Sequence, residues 1–157
     1  MIVKETIKFN ETEWIGLDFE NFGYARVEEI LIEKNKTIIK FYDKETEDGN
    51  TLNLSLEFPE RILAYNIVDE SPGIRSDIYR ENIVKITGCS INRTEKSEYI
   101  NYFKKENSKY MKQCIYHYSL ASMRIYYYQI LSLSKGKLIL IEESEDGKYK
   151  KITEKIV

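Results

Sequence analysis

The stretch TLNLSLEFP, residues 51–59, sets the reading of this chain. Leu52, Leu54, Leu56 and Phe58 alternate with Thr51, Asn53, Ser55 and Glu57. Successive side chains of a strand point to opposite faces, so a period of two predicts a β-strand with one apolar and one polar face. Pro59 has no amide to give to a ladder and ends the strand.

Upstream, YARVEEILIE (24–33) and KTIIKFYD (36–43) flank Lys34-Asn35. Asparagine tolerates the left-handed conformation of a tight turn, so the two runs read as a hairpin. DKETEDGN (43–50) is a polar turn with Gly49 near its end. Residues 24–58 therefore read as an antiparallel meander. Near the other end, KLILIEE (137–143) pairs with KYKKITEKI (148–156) across Glu145-Asp146-Gly147, and Asp-Gly is a strong hairpin signal.

Between them lies the tyrosine-rich stretch CIYHYSLASMRIYYYQILSL (114–133), with Tyr116, Tyr118, Tyr126, Tyr127 and Tyr128. Cys114, Tyr116, Tyr118 and Leu120 alternate with Ile115, His117 and Ser119, and MRIYYYQILSL (123–133) follows as a second strand. Tyrosine is apolar in body and polar at its tip, which suits strands half in a core and half on a contact surface.

The middle is mixed. ILAYNIV (62–68) and IVKITGC (83–89) are strand-like, and DESPGIRSD (69–77) is a loop marked by Pro72-Gly73. TEKSEYINYFKKENSKYMK (94–112) is the best helix, with Thr94 as its cap and Glu95 and Glu98 in the first turn. Ile100, Phe103, Tyr110 and Met111 approximate its apolar face. Strands and a helix segregated in this way predict one α+β domain over 1–157, built on a large, mostly antiparallel curved sheet. An open barrel is a natural closure for so many hairpins.

With 42% hydrophobic and 32% charged residues in 157, the chain belongs with ordered globular proteins and not with disordered ones. No apolar stretch is long enough to span a bilayer. The start, MIVKETIKFNETEW, turns polar after three residues and does not read as a secretory signal. Cys89 and Cys114 read as reduced thiols of a cytoplasmic protein. The sequons at Asn10, Asn35 and Asn92 carry meaning only in a secretory pathway. Heavy use of Lys, Ile, Asn and Tyr points to an AT-rich bacterial genome.

The net charge of −2 is unevenly spread: residues 1–58 carry −6, residues 59–112 carry +2 and residues 113–157 carry +2. An acidic amino-terminal third can steer a basic partner.

Motifs for chemistry are missing. The 7 glycines form no phosphate cradle, and the two cysteines have no metal-ligand spacing. DKETEDG (43–49) departs from a calcium loop, because its Gly falls one place late and Leu54 stands where a bidentate Glu belongs. His117 is the only histidine and has no identifiable nucleophile beside it. A hydrolase or nuclease would need it in a cleft beside another titratable group. The expectation is a non-enzymatic protein with no cofactor and no metal.

Two binding alternatives stand beside that expectation. Lys96, Lys104, Lys105, Lys109, Lys112 and Arg124 interleave with Tyr99, Tyr102, Phe103, Tyr110, Tyr116 and Tyr118, as in single-strand nucleic-acid binders. The acidic balance and the lack of an RNP-type motif weigh against nucleic acid. A curved sheet closing on itself would instead hold a small ligand.

In size, charge pattern, lack of catalytic residues, and HYSLASMRIYYYQIL (117–131) followed by terminal hairpins, the chain resembles the small β-rich immunity proteins of bacterial polymorphic-toxin and contact-dependent growth inhibition systems. The resemblance implies a cytoplasmic inhibitor that occludes the basic active site of a cognate toxin, a nuclease first of all. Carboxylates ringed by aromatic anchors do this in such interfaces. The carboxylates to expect at the contact are Asp43, Glu45, Glu47 and Asp48 in one loop, and Glu142, Glu143, Glu145 and Asp146 in another. The anchors to expect are Tyr42, Tyr126 and Tyr128. The partner expected is a protein toxin, with no membrane involved.

Overall fold

The computed structural model describes residues 14–69, 87–122 and 126–157. The 51–59 stretch forms β5 (Thr51–Phe58), and its four apolar side chains are buried while Thr51 and Asn53 face water. Burial of a leucine such as Leu54 or Leu56 contributes roughly 2 kcal/mol. Before it come β1 (Ile15–Gly16), β2 (Val27–Ile32), β3 (Thr37–Phe41) and β4 (Lys44–Glu45). After it come β6 (Ala64–Asp69), β7 (Ile91–Thr94), helix α1 (Glu98–Glu106), β8 (Tyr116–Ala121), β9 (Tyr126–Ser132), β10 (Lys137–Glu143) and β11 (Lys150–Ile156).

These strands form two sheets, each antiparallel throughout. Sheet I has the order β11-β10-β5-β3-β2, with β4 also paired to β5. Sheet II has the order β1-β7-β8-β9-β6. As the sequence indicates, the chain is α+β, with mostly antiparallel strands and one main helix; the strands divide between two sheets, and they do not close into a barrel. The division falls at Pro59, which cannot continue the ladder. The chain then crosses to β6, which pairs with β9 (Ala64 opposite Leu131) and not with β5. It returns to sheet I only at β10, where Leu138 lies opposite Leu56 and Leu140 opposite Leu54. One isolated parallel bridge, Val27 with Ser122, links the sheets.

A shared core lies between the sheets. Sheet I supplies Ile39, Phe41, Leu54, Leu56, Phe58, Leu138 and Leu140, and sheet II supplies Ile91, Tyr118, Leu120 and Ile130. The Phe58 and Tyr118 rings meet edge-on at 5.1 Å between centroids. The Gly136 amide donates to the Tyr118 hydroxyl at 2.9 Å, tying the entry of β10 to sheet II. Gly136 is required by space: a Cβ there would lie 2.7 Å from Leu56 Cδ1. Asp18 stitches the loop after β1 onto β7, accepting from the Ser90 and Ile91 amides at 2.8 and 2.7 Å. Arg93 of β7 donates to the Val157 carbonyl.

The helix covers the outer face of sheet II, where Ile100 packs with Ile115 and Leu131. It is shorter than the expected 94–112. Thr94 ends β7, and its hydroxyl bonds to the Lys96 backbone and not to the helix. Ser97 is the cap, its Oγ accepting from the Ile100 amide at 3.1 Å. Asn107 stops the helix, with backbone and side-chain nitrogens both on the Phe103 carbonyl, and a 3-10 turn follows at Ser108–Tyr110. Helix cover also explains why β8 is buried on both faces and not on alternate ones.

The hairpins expected at Asn35 and at Asp146-Gly147 both form. Gly147 takes φ 73°, as such a turn requires. Most of the loop expected at 69–77, most of the strand expected at 83–89, and the start at 1–13 lie outside the described residues. Cys89 and Cys114 are free thiols and precede their strands instead of lying in them.

Candidate functional site

Two hairpins, almost a hundred residues apart in sequence, meet at one end of sheet I. The link is the β5–β10 ladder, which sets Glu142 opposite Leu52 and Glu143 opposite Thr51. The β3–β5 connection folds as a small hairpin of its own, with Glu45 opposite Thr51 and Glu47, Asp48 and Gly49 at the tip. Asn50 Nδ2 donates to Glu142 Oε2 at 2.9 Å, bonding one hairpin to the other. Asn53 Nδ2 donates to Asp43 Oδ1 at 2.8 Å and holds that carboxylate at the surface.

Between the hairpins is an open depression of about 580 Å³ lined by Asp43, Asn53, Ile141, Glu143, Glu145 and Lys150 among others. Asp43 also borders a neighbouring depression of about 320 Å³, formed with Tyr24, Arg26, Tyr42 and Lys44. The exposed rings of Tyr42 and Tyr24 thus stand beside the carboxylates. Lys44 lines the same depression. Its Nζ donates to the Phe22 carbonyl at 2.8 Å and sits over the Phe22 ring, and burial lowers its pKa below the usual lysine value.

The expected site residues therefore separate into groups. Tyr42, Asp43, Glu45, Glu47, Asp48, Glu142, Glu143, Glu145 and Asp146 are brought to one end of one sheet. Within that group, Asp146 is engaged in its own turn: it accepts from the Lys148 amide at 3.0 Å and the Ser144 hydroxyl at 2.7 Å. These bonds, the amide first, hold its pKa below the ordinary carboxylate value. Tyr128 lies elsewhere, half-buried in sheet II against the main core and opposite Leu120 and Ile67. The backbone of Tyr126 belongs to the same strand, and its side chain lies outside the described residues.

The aromatic and basic strip of 96–128 does not assemble as one surface. Tyr118 is buried in the core, Tyr99 packs on His117, and Phe103 and Tyr110 pack with the helix cluster. Tyr102 alone of the six rings is mostly exposed.

His117 sits in a polar network that the sequence did not reveal. Ser97 Oγ, already accepting from the Ile100 amide, donates to His117 Nδ1 at 2.8 Å. That assigns the neutral tautomer with its proton on Nε2, which donates to Gln129 Oε1 at 2.5 Å. Gln129 Nε2 donates onward to Ser119 Oγ at 3.0 Å. Trp14 and Tyr99 close edge-on over the ring at 5.1 and 5.4 Å. Burial moves the His117 pKa down to about 4, against a smaller upward effect of the Gln129 bond. Neither depression at the acidic end reaches it. The signal that could have found this network is diagonal: Gln129 lies opposite Ser119, two residues from His117 on the same face.

Among the described residues no group of three or more His, Cys, Asp or Glu is placed to hold a metal ion, and no helix is long and apolar enough to cross a membrane. No protein-family model, curated protein or solved structure matches this chain.

Proposed function

We propose that this chain is a protein-binding inhibitor, an immunity protein that occludes the basic active site of a cognate toxin in the bacterial cytoplasm. The observation that supports this reading best is the meeting of the two acidic hairpins beside Tyr42, made by the β5–β10 ladder. A nuclease active site is cationic because it must hold phosphate. Carboxylates in fixed positions replace that phosphate, and an aromatic ring beside them excludes water from the contact.

Asp43, Glu143 and Glu145 line the depression and would meet the partner's cations directly. Glu45, Glu47 and Asp48 project from the hairpin and would act at longer range, raising the rate of encounter. Tyr42, with Tyr24 beside it, takes the anchor role that the sequence had also assigned to Tyr126 and Tyr128.

The test is co-expression with the carboxyl-terminal domain encoded immediately upstream. Rescue of growth from a lethal domain, together with a stable complex on size exclusion, supports the reading. A harmless domain, or a lethal one that is neither bound nor neutralised, overturns it.

A further inference from the structure

We propose that the outer face of sheet I is a self-association surface whose occupant is a second copy of this chain. The inference does not rest on the inhibitor reading. Sheet II has its outer face covered by α1, whereas among the described residues no element covers the outer face of sheet I. That face carries aliphatic side chains: Ile139 and Ile141 of β10, partly buried, and Ile152 and Ile156 of β11, 55% and 68% exposed. Ile38 of β3 and Leu31 of β2 continue the row at the far side, with Ile156, Lys137, Glu57, Ile38 and Leu31 standing across successive strands.

The two ends of the face differ in charge. One end is the acidic pair of hairpins. The other is an open cleft of about 650 Å³ lined by Lys34, Lys36, Lys135 and Lys137, with Glu33 and Glu57. A half-turn about an axis in the plane of the face and perpendicular to the strands sets each strand over its own copy and exchanges the ends. Ile152 then meets Ile156, Ile139 meets Ile139, and the acidic 43–50 hairpin meets Lys34 and Lys36. Lys137 at the basic end is paired within one chain to Glu154 at 3.7 Å, and Lys40 at the middle to Glu29 at 3.5 Å. A two-fold contact needs a patch complementary to itself, and this distribution supplies one.

The size of the face fits a reversible dimer. Five strands about 4.8 Å apart, each of about seven residues at about 3.3 Å, give roughly 550 Å² in projection. Corrugation and the hairpin ends raise the area covered toward the ~800 Å² per partner of a stable complex. Sheets packed face to face in this way form an ordinary aligned sandwich. The dimer would cover the acidic end, so a protein partner at that end would bind the monomer.

The experiment is sedimentation equilibrium of the full chain over a range of concentrations at low and high salt. The expected result is a mass that rises from one chain to two and no further, and shifts back toward one as salt is added. Ile152→Lys, at an exposed position, weakens the dimer by about tenfold or more. Lys34→Glu with Lys36→Glu weakens it, as does Glu47→Lys with Asp48→Lys, and all four together in one chain restore it. A monomer at every concentration, growth beyond two chains, or a dimer indifferent to these substitutions overturns the proposal. Sedimentation reads the chain alone, so failure of the dimer and failure of rescue from a toxin are scored separately.

Discussion

The Ser97 hydroxyl stands 2.8 Å from His117 Nδ1 and 3.1 Å from the Ile100 amide, so one oxygen joins the helix cap to the buried histidine of β8. The helix and the sheet it covers are thereby held by the same atom. Ser97→Ala removes the cap, which costs about 1 kcal/mol, and leaves Nδ1 unsatisfied in the interior, which costs about 1–3 kcal/mol more. Denaturant unfolding of Ser97→Ala, His117→Gln and the double variant checks the link. The two single losses are expected to be non-additive by about 0.5 kcal/mol or more.

His117 also gives stability a dependence on pH. Its folded pKa is about 4 against 6.5 unfolded. Between those values the unfolded chain binds more protons, so stability rises with pH. The contribution is complete above pH 6.5 and is lost progressively as pH falls to about 4, by roughly 3 kcal/mol in all. Denaturation midpoints across that window should show the loss in the wild type. In His117→Gln the part due to this group should be absent.

Tyr118 and Gly136 make a second contact of this kind, between sheets. Tyr118→Phe keeps the ring against Phe58 but strands the Gly136 amide, and is expected to cost about 1–3 kcal/mol. Gly136→Ala is expected to cost about 1–3 kcal/mol for a different reason, since its Cβ would press on Leu56 and Phe58 in a filled core. Thermal unfolding of both variants, with the exposed Met111→Ala as a control near zero, separates these effects from general surface change.

On the proposed function, Asp43→Lys with Glu143→Lys abolishes rescue and slows association by about tenfold or more, with a flatter salt dependence of the association rate. Asp146→Asn has a much smaller effect on binding, because that carboxylate is committed to the Lys148 amide and the Ser144 hydroxyl. Surface plasmon resonance at several salt concentrations distinguishes the two. Equal losses at Asp43 and Asp146 would show that the hairpin fold, and not the facing carboxylates, governs the contact.

Tyr42→Ala in the same assay is expected to raise the dissociation rate while leaving the fold intact, since the ring is exposed in the unbound chain. Tyr128→Ala is expected instead to lower the unfolding midpoint, because that ring packs on the main core. Measuring the unfolding midpoint alongside the dissociation rate for each variant separates an anchor from a core residue.

What the sequence by itself determined is the local structure. β5 follows from the alternation of Leu52 to Phe58, and the β10–β11 hairpin from Asp146-Gly147. The β2–β3 hairpin follows from Asn35. Each rests on a period of two or on turn chemistry, which act over a few residues. The candidate carboxylates were legible for the same reason, as charged turns. Only the tertiary structure decided that the strands divide into two sheets at Pro59 and that α1 covers the face bearing His117. It also decided that Tyr128 packs half-buried against the main core in sheet II, away from the acidic hairpins, and that Glu143 and Asp43 share one depression. These are pairings between residues far apart in the chain, and a period of two says which face a side chain takes without saying which strand lies beside it.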